Sequence, residues 1–299
     1  MRDDELGDLT RPHGIARSGG TIRIGLSGWS YRHWRDRFYP PGLPARQQLE
    51  FVAARFNTLE INRTFYSLVK PTWFRRLRDH TPSDFQFAVK GSRFITHMKK
   101  LSGVEVALAN FFASGLLELG EKLGPILWQL PASLPLNLAR LEAFFRLLPR
   151  SHQAIADIAS MHTREGVELV SPQADSPVRH ALEVRHPSFL SQEATALADE
   201  YDVALAASHS SRWPYLEDPT TDFMYFRLHG PQALYASSYT EDQLRTWAAR
   251  VASWQNSNSA LGRPFDVYVY FDNDEQAHAP RNAIRMQELL TPEARRGGL

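Results

Sequence analysis

The 299-residue sequence predicts an α/β protein built as a single TIM-type (β/α)8 barrel with parallel strands. Eight short apolar runs each end abruptly in polar or charged residues, and amphipathic helical patterns separate most of them. No linker rich in glycine or proline divides the chain. Because alternating strands and helices give parallel strands with right-handed crossovers, the eight polar ends should meet at one mouth of the barrel.

The eight apolar runs are predicted to be buried strands, with helices between them. The predicted strands are 22–27, 58–62, 85–90, 125–130, 180–186, 202–209, 224–229 and 267–273. The predicted helices are 45–56, 72–79, 104–123, 138–148, 191–201, 240–254 and 283–290, with a further short helix within 151–177. Thr240 and Gln243 form a capping-box pattern at the start of one of these helices.

The sixth helix is predicted to be missing or reduced. Adjacent serines, Trp213-Pro214 and Asp218-Pro219 follow the sixth strand, and such residues are typical of a loop. We therefore expect the sixth strand to lead through an irregular segment into the seventh.

The barrel is predicted to be one domain over residues 21–290, with a disordered lead-in at 1–20 and a frayed tail at 291–299. The lead-in lacks the apolar centre of a secretory signal, and no run of about 20 apolar residues predicts a transmembrane helix. The absence of cysteine excludes disulfides, thiolate catalysis and cysteine-ligated metals. We predict a cytoplasmic protein without a membrane partner, and the net charge of +1 gives no global attraction for nucleic acid.

Strand side chains alternate between the surrounding helices and the barrel interior, and this alternation predicts a polar interior at the mouth. Since apolar positions should face the helices, the inward residues are Ser27, Glu60, Asn62, Lys90, Gln129, Glu183, Arg185, Ser208, Tyr225, Arg227, His229, Tyr270 and Asp272. A buried, unpaired ion costs several kcal/mol, so the carboxylates need cationic partners. Two interpretations stay open: an ion-pair network that satisfies itself, or a ligand-binding mouth, which we favour because the charges concentrate at strand ends.

Seven motifs in order resemble those of the YecE-like family, a family of unknown function. They are Gly-Leu-Ser-Gly-Trp-Ser-Tyr (25–31), Glu-Ile-Asn-Arg-Thr-Phe-Tyr (60–66), Phe-Ala-Val-Lys (87–90), Leu-Gly-Pro-Ile-Leu-Trp-Gln-Leu-Pro (123–131), Leu-Glu-Val-Arg-His-Pro (182–187), Tyr-Phe-Arg-Leu-His-Gly (225–230) and Phe-Asp-Asn-Asp (271–274). The resemblance covers roughly residues 21–290. It implies a TIM-type barrel and no established reaction.

Two positions depart from the family pattern. The family usually carries an aspartate just after the sixth strand, where this chain has Ala207-Ser208-His209-Ser210. The closing motif more often reads Phe-Asn-Asn, and here Asp272 replaces the first asparagine. A mechanism that needs the missing aspartate is therefore not expected, unless Asp272 compensates.

The favoured function is a hydrolase that acts on a phosphorylated or nucleotide-like substrate, such as a phosphodiester. Cationic side chains at the mouth would hold the anion, and imidazole or carboxylate groups would transfer protons. The candidate catalytic residues are Glu60, Glu183, His229 and Asp272. The candidate substrate-binding residues are Ser27, Trp29, Tyr31, Asn62, Tyr66, Lys90, Arg93, His97, Gln129, Arg185, His186, Arg227 and Asn273.

Two other functions stay open. Aromatic residues after the first two strands, with arginines beside them, fit a nucleic-acid or nucleotide binding module without chemistry. Paired carboxylates Glu60 and Glu183 fit an isomerase or epimerase of an anionic sugar. A divalent metal on the four candidate catalytic residues is an alternative that we do not favour, since Arg185 and Arg227 would neutralise them. The expected partner is a small anionic ligand, and the oligomeric state is not predicted.

Overall fold

The computed structural model describes residues 15–17, 20–161, 176–259 and 264–291. It contains ten strands: β1 (Ile15–Arg17), β2 (Gly20–Ser27), β3 (Thr58–Ile61), β4 (Gln86–Lys90), β5 (Leu123–Gln129), β6 (His180–Glu183), β7 (Val203–Leu205), β8 (Ala207–His209), β9 (Phe223–Leu228) and β10 (Asp266–Phe271). Strand β1 pairs antiparallel with β2, within the segment we predicted to be a disordered lead-in. The remaining predicted lead-in, and the tail after residue 291, lie outside the described residues.

The other nine strands run parallel in the order β7-β6-β5-β4-β3-β2-β10-β9-β8. Strands β7 and β8 are the two halves of the predicted sixth strand, interrupted at Ala206. The first half pairs with β6 and the second with β9, so this one segment closes the barrel. The Ala206 amide still donates to the Leu182 carbonyl at 2.9 Å. The predicted TIM-type barrel is therefore confirmed.

Nine α-helices lie along the described chain: α1 (Gln48–Ala53), α2 (Arg63–Tyr66), α3 (Pro71–Asp79), α4 (Glu105–Ala113), α5 (Leu138–Arg146), α6 (His152–Met161), α7 (Gln192–Glu200), α8 (Glu241–Ser259) and α9 (His278–Leu290). No helix lies between β8 and β9, as the loop residues there predicted. No helix in the described part of the chain combines the length and apolar character needed to cross a lipid bilayer.

The helix predicted over 104–123 is wrong as a single element, because Gly115 ends α4 and a 3-10 helix (Leu116–Lys122) follows. Gly115 has φ of 106°, a left-handed conformation that favours glycine. A Cβ added there would lie 2.5 Å from the Cα of Pro71. The chain therefore turns at this glycine because no side chain fits.

The capping box at the start of α8 is present. The Thr240 amide donates to Gln243 Oε1 at 2.9 Å, and the Gln243 amide donates to Thr240 Oγ1 at 3.3 Å. Replacing Thr240 with alanine should lower the free energy of unfolding by about 1 kcal/mol, because it removes an acceptor for a helix N-terminal amide. Urea denaturation measures the change. Thr246→Ala is the matched control within α8, and an equal loss in both variants would contradict the capping role.

The barrel interior has two layers. An apolar floor is formed by Ala88, Leu127, Ala181, Ala204, Ala206, Phe223, Tyr225, Tyr268 and Tyr270. Alternate strand residues such as Leu59, Trp128 and Phe226 point outward into the larger core shared with the helices. The charged residues form a layer above the floor, at the strand C-termini, so the polar interior is confined to the mouth.

Candidate functional site

Arg227 lies at the centre of the charged layer and is completely buried. Its Nε and Nη2 donate to the two carboxylate oxygens of Glu60 at 2.9 and 2.7 Å. Its Nη1 donates to Glu183 at 2.7 Å, and its Nη2 also donates to Asp272 at 3.0 Å. One guanidinium therefore joins carboxylates from three strands around the barrel, and we call these four residues the Arg227 network.

Further donors complete the two glutamates of the Arg227 network. Glu60 accepts from the Ser27 hydroxyl at 2.6 Å and from the Tyr225 hydroxyl at 2.8 Å. Glu183 accepts from Ser208 at 3.0 Å and from Arg185 at 3.0 Å. Both glutamate side chains are inaccessible to solvent. Neither carboxylate is thus placed to meet a substrate in this structure.

The electrostatic consequence is clearest at Glu183 and Asp272. Burial raises the pKa of Glu183, but the charges of Arg185 and Arg227 outweigh it and hold that pKa well below its usual value. Burial acts in the same way on Asp272, yet Arg227 and the His229 contact bring its pKa to about 2. Both carboxylates are therefore ionised at neutral pH.

His229 lies between two of these carboxylates and is also fully buried. Its Nε2 lies 3.2 Å from Glu183 Oε1, and its Nδ1 lies 3.0 Å from Asp272 Oδ2. The ring is turned so that the Nδ1 contact is not an aligned hydrogen bond. Trp213 and Tyr235 pack against the imidazole edge-on, with ring centroids at 5.1 and 5.4 Å.

The four residues considered as metal ligands surround Arg227 instead of an open position. Among the residues the structure describes, no group of three or more histidine or carboxylate side chains is arranged to hold a metal ion. The Arg227 guanidinium occupies the point on which Glu60, Glu183 and Asp272 converge. A cation in the same place would meet that positive charge, so the residues present do not fit a metal.

Lys90 ends β4 at the mouth and differs from the two arginines. Its side chain is largely buried, with 8% of the residue exposed, and its Nζ lies 4.4 Å from the centroid of the Phe65 ring. No carboxylate within the described ranges pairs with it directly. Burial, and next the charge of Arg227, lower the pKa of Lys90 to about 8. Lys90 is one of the residues that line an open cleft.

This cleft has a volume of about 780 Å³ and runs from the barrel mouth to the outer helices α1 and α3. Its inner end is lined by Gly28, Trp29, Ser30, Tyr31, Asn62, Lys90, Tyr235, Asp272 and Asp274. Its outer end, which we call the basic arm, is lined by Ala45, Arg46, Leu49, Arg63, Tyr66, Trp73, Arg76, Leu77 and His80.

The basic arm carries both cations and flat apolar surfaces. Arg46, Arg63 and Arg76 are exposed, and none of them forms an ion pair with a carboxylate in the part of the chain that the structure describes. Trp73 of the basic arm and Trp29 of the inner end lie nearly parallel, with an interplanar angle of 22° and centroids 6.3 Å apart. Arg63 lies over Trp73 at 5.7 Å. The arm therefore offers uncompensated positive charge beside aromatic faces.

Two groups at the inner end connect the cleft to the buried charges. Asn62 Nδ2 donates to Ser27 Oγ at 2.9 Å, and the Tyr31 hydroxyl donates to the Ser27 carbonyl at 2.5 Å. Asp274, half-buried above them, has its pKa raised to about 6 by burial and by the neighbouring charge of Asp272. A carboxyl group with this pKa exchanges protons near neutral pH.

Other sequence candidates take supporting positions. Gln129 Nε2 lies 3.4 Å from His97 Nε2, and burial and the charge of Lys90 lower the pKa of His97 to about 4. His186 accepts from the Ser188 amide and so caps a short 3-10 turn. Asn273 is buried and donates to Asn282 and to the Ser237 carbonyl. Arg93 is exposed, and it is not among the residues that line the cleft.

Sequence reasoning missed most of the basic arm. Arg46, Arg63, Trp73 and Arg76 of the basic arm were not site candidates, and neither was Tyr235 at the inner end. Strand alternation selects residues on the strands themselves, whereas these residues lie on helices or loops. The available signal was the arginine-rich face of α3, whose sequence reads Pro-Thr-Trp-Phe-Arg-Arg-Leu-Arg-Asp.

Residues 23–297 match the family model described as "Protein of unknown function DUF72". UPF0759 protein YecE of Escherichia coli K12 is 34% identical over 129 residues, which are 43% of this chain and 44% of YecE. UPF0759 protein YunF of Bacillus subtilis strain 168 is 31% identical over 75 residues, 25% of this chain and 26% of YunF. The alignments span less than half of each relative, and they confirm the resemblance that the sequence motifs indicated.

Solved structures show the same fold. A DUF72 family protein from Thermotoga maritima MSB8 has a TM-score of 0.69 at 24% identity, over 90% of this chain and 98% of that one. Another from Enterococcus faecalis V583 has a TM-score of 0.67 at 17% identity, over 92% of this chain and 99% of that one. These similarities support the barrel fold and do not indicate a reaction.

Proposed function

This chain belongs to the DUF72 family, and because that membership gives a fold without a reaction, we propose from its own side chains that it hydrolyses a phosphorylated or nucleotide-like substrate. The observation that carries the proposal is the basic arm, where Arg46, Arg63 and Arg76 have no carboxylate partner among the described residues and lie beside the stacked pair Trp29 and Trp73. Unpaired guanidinium groups suit phosphate oxygens, and aromatic faces suit a nucleobase.

The inner end of the cleft supplies the reactive groups. In this proposal Asp274 accepts a proton from water, the water oxygen attacks phosphorus, and the bond to the leaving oxygen breaks. The leaving oxygen keeps the electron pair of that bond and takes a proton from solvent, and Asp274 then returns its own proton to solvent. Lys90, in its protonated form, stabilises the negative charge that develops on the phosphoryl oxygens. Both residues line the same end of the cleft. The Asp274 pKa of about 6 suits a base that works near neutrality.

The Arg227 network has a positioning role in this proposal. Arg227 forms ion pairs with Glu60 and Glu183. A third ion pair from Arg227 holds the carboxylate of Asp272 in position. Asp272 reaches the cleft wall, so its charge acts on Asp274 and on Lys90. The isomerase hypothesis fits less well, because it requires Glu60 and Glu183 to meet a substrate and both are enclosed.

A nucleotide-binding module without chemistry is the second candidate. The enclosed glutamates favour it, since the groups that sequence patterns indicated as catalytic are tied into ion pairs. Binding with no turnover of any phosphoester would select this candidate over the hydrolase.

A charge-removal series in the basic arm tests the binding half of the proposal. Replacing Arg46, Arg63 and Arg76 together with glutamine should weaken AMP and pyrophosphate binding about 10- to 100-fold, because three unpaired cations are lost. Isothermal titration calorimetry measures the affinity. The matched control removes the same charge through Arg140 and Arg146 of α5 and Arg245 of α8, none of which lines the cleft.

The control triple variant should bind as the unmodified protein does. Equal weakening in both triple variants would show that only overall charge matters. Unchanged affinity in the basic-arm variant would contradict the proposed site. Hydrolysis is then followed with bis-p-nitrophenyl phosphate, and its absence in a protein that binds AMP would leave the binding module as the function.

A further inference from the structure

The amine of Lys90 forms no ion pair with the carboxylates of the Arg227 network. Arg185 and Arg227 donate directly to Glu183, whereas Lys90 contacts the face of Phe65 at 4.4 Å. No described carboxylate lies within ion-pair distance of its Nζ. A lysine whose role is only to balance the buried carboxylates would be expected to touch one of them.

The surroundings of Lys90 also keep part of it neutral. Burial and Arg227 favour loss of the proton, and Glu60, Glu183 and Asp272 oppose it, with a resulting pKa of about 8. An ordinary lysine is almost entirely protonated at neutral pH, whereas a group with this pKa is about one-tenth neutral at pH 7. The neutral amine is the nucleophilic form.

The position of Lys90 gives that amine access to a ligand. It ends β4 at the barrel mouth and lines the inner end of the cleft together with Asn62, Tyr31 and Tyr235. The residue is 8% exposed, and its nitrogen lies over the Phe65 ring at 4.4 Å from the centroid. A ligand held in the basic arm would therefore present its inner end to one oriented nitrogen.

We propose that Lys90 is a nucleophile that forms a Schiff base with an aldehyde or ketone bound in the cleft. The nitrogen attacks the carbonyl carbon and gives a carbinolamine, whose hydroxyl takes a proton and leaves as water. The product is an iminium linkage, and no oxidant or reductant takes part. An anionic group on the same ligand would lie in the basic arm. This placement of the anion rests on the proposed function, whereas Schiff-base formation by Lys90 is independent of it.

Reductive trapping tests the proposal on the full chain. The protein is treated at pH 7.5 with pyridoxal phosphate, or with the neutral aldehyde propanal, and the adduct is fixed with borohydride. The chain contains five lysines, Lys70, Lys90, Lys99, Lys100 and Lys122, so peptide mass mapping resolves each site. With either probe, Lys90 should be modified at least about 10-fold faster than Lys99 and Lys100, because it has the larger neutral fraction.

Two variants test whether the fast labelling comes from Lys90. Lys90→Arg should remove the fast labelling phase while circular dichroism and the thermal midpoint show a folded protein. Lys99→Arg with Lys100→Arg should retain the fast phase. Labelling spread evenly over the exposed lysines, or a fast phase that persists in Lys90→Arg, overturns the proposal. Inorganic phosphate should slow the reaction of pyridoxal phosphate more than that of propanal. If it slows neither or both equally, the basic arm fails as the site of the ligand's phosphate, while preferential labelling of Lys90 by propanal still stands.

Discussion

Replacing Arg227 with methionine should lower the free energy of unfolding by at least about 3–5 kcal/mol, because it leaves the buried Glu60 without a cation and Glu183 with Arg185 alone. Glu60 and Glu183 are both inaccessible to solvent and both take short hydrogen bonds from this one guanidinium. Methionine fills much of the space of the arginine side chain. The loss of stability therefore reflects the missing positive charge more than a cavity. Arg227→Met should be largely unfolded at 37 °C, since a loss of this size is a large share of a domain's free energy of unfolding.

Chemical denaturation and soluble yield measure the effect of Arg227→Met. The control is Arg245→Met, which removes an exposed arginine that pairs with Glu241 within one helix and should cost less than about 1 kcal/mol. Adding Glu60→Gln and Glu183→Gln to Arg227→Met should recover part of the stability, because the two fully enclosed carboxylates are then neutral and only Asp272 keeps its charge. A stable single variant that loses only ligand binding would contradict the structural role.

The free energy of unfolding at acidic pH is a second measurable consequence of the Arg227 network. The pKa of Glu183 is held well below its usual 4.5, and that of Asp272 is about 2 instead of 3.8. The unfolded chain therefore binds more protons than the folded one below about pH 4.5, and stability falls as the pH falls. In Arg227→Met this acid dependence should be weaker.

The second large effect is expected at Asp274. Asp274→Asn should reduce kcat for phosphoester hydrolysis by about 10²- to 10⁴-fold, the range typical for loss of a general base. The free energy of unfolding should not fall, because a carboxyl whose pKa is raised to about 6 does not gain stability from its folded environment at neutral pH. The pH profile of the unmodified protein should rise through about pH 6 and fall above about pH 8, where Lys90 loses its proton.

Steady-state kinetics over pH 5–9 test the role of Asp274. In Asp274→Asn the limb near pH 6 should disappear. The control is Asp222→Asn, a residue that pairs with Arg179 just before β9, at the opposite end of the barrel. Unchanged kcat in Asp274→Asn, or an equal loss in the Asp222 control, would remove Asp274 from the mechanism.

Much of the barrel was predictable because strand alternation is a local property. Once Leu59 and Ile61 are assigned to the helix-facing side, Glu60 must face inward, and the structure places it there. The break of the sixth strand at Ala206 was not predictable, since it depends on pairing with two different neighbours. The division of the predicted 104–123 helix depends on the approach of Pro71 to Gly115, which is a tertiary contact.

The candidate site was only partly predictable for a similar reason. The sequence indicates which residues face the mouth, but whether Arg185 and Arg227 meet a ligand or a carboxylate depends on distances between strands. The structure brings Glu60, Glu183, Arg227 and Asp272 together as one network. Arg76 became a candidate only when α3 was placed beside the cleft, because helix periodicity alone does not position a helix over one strand end.

The most direct test is a crystal structure of the protein soaked with tungstate, a phosphate mimic that anomalous scattering locates. The central claim is that the Arg227 network satisfies itself and that the ligand site is the cleft outside it. Tungstate should bind in the cleft, at the arginines of the basic arm or beside Lys90 at the inner end, with Arg227 still bonded to Glu60 and Glu183. An anion that instead contacts Arg227 or Arg185 and displaces a glutamate would contradict the claim.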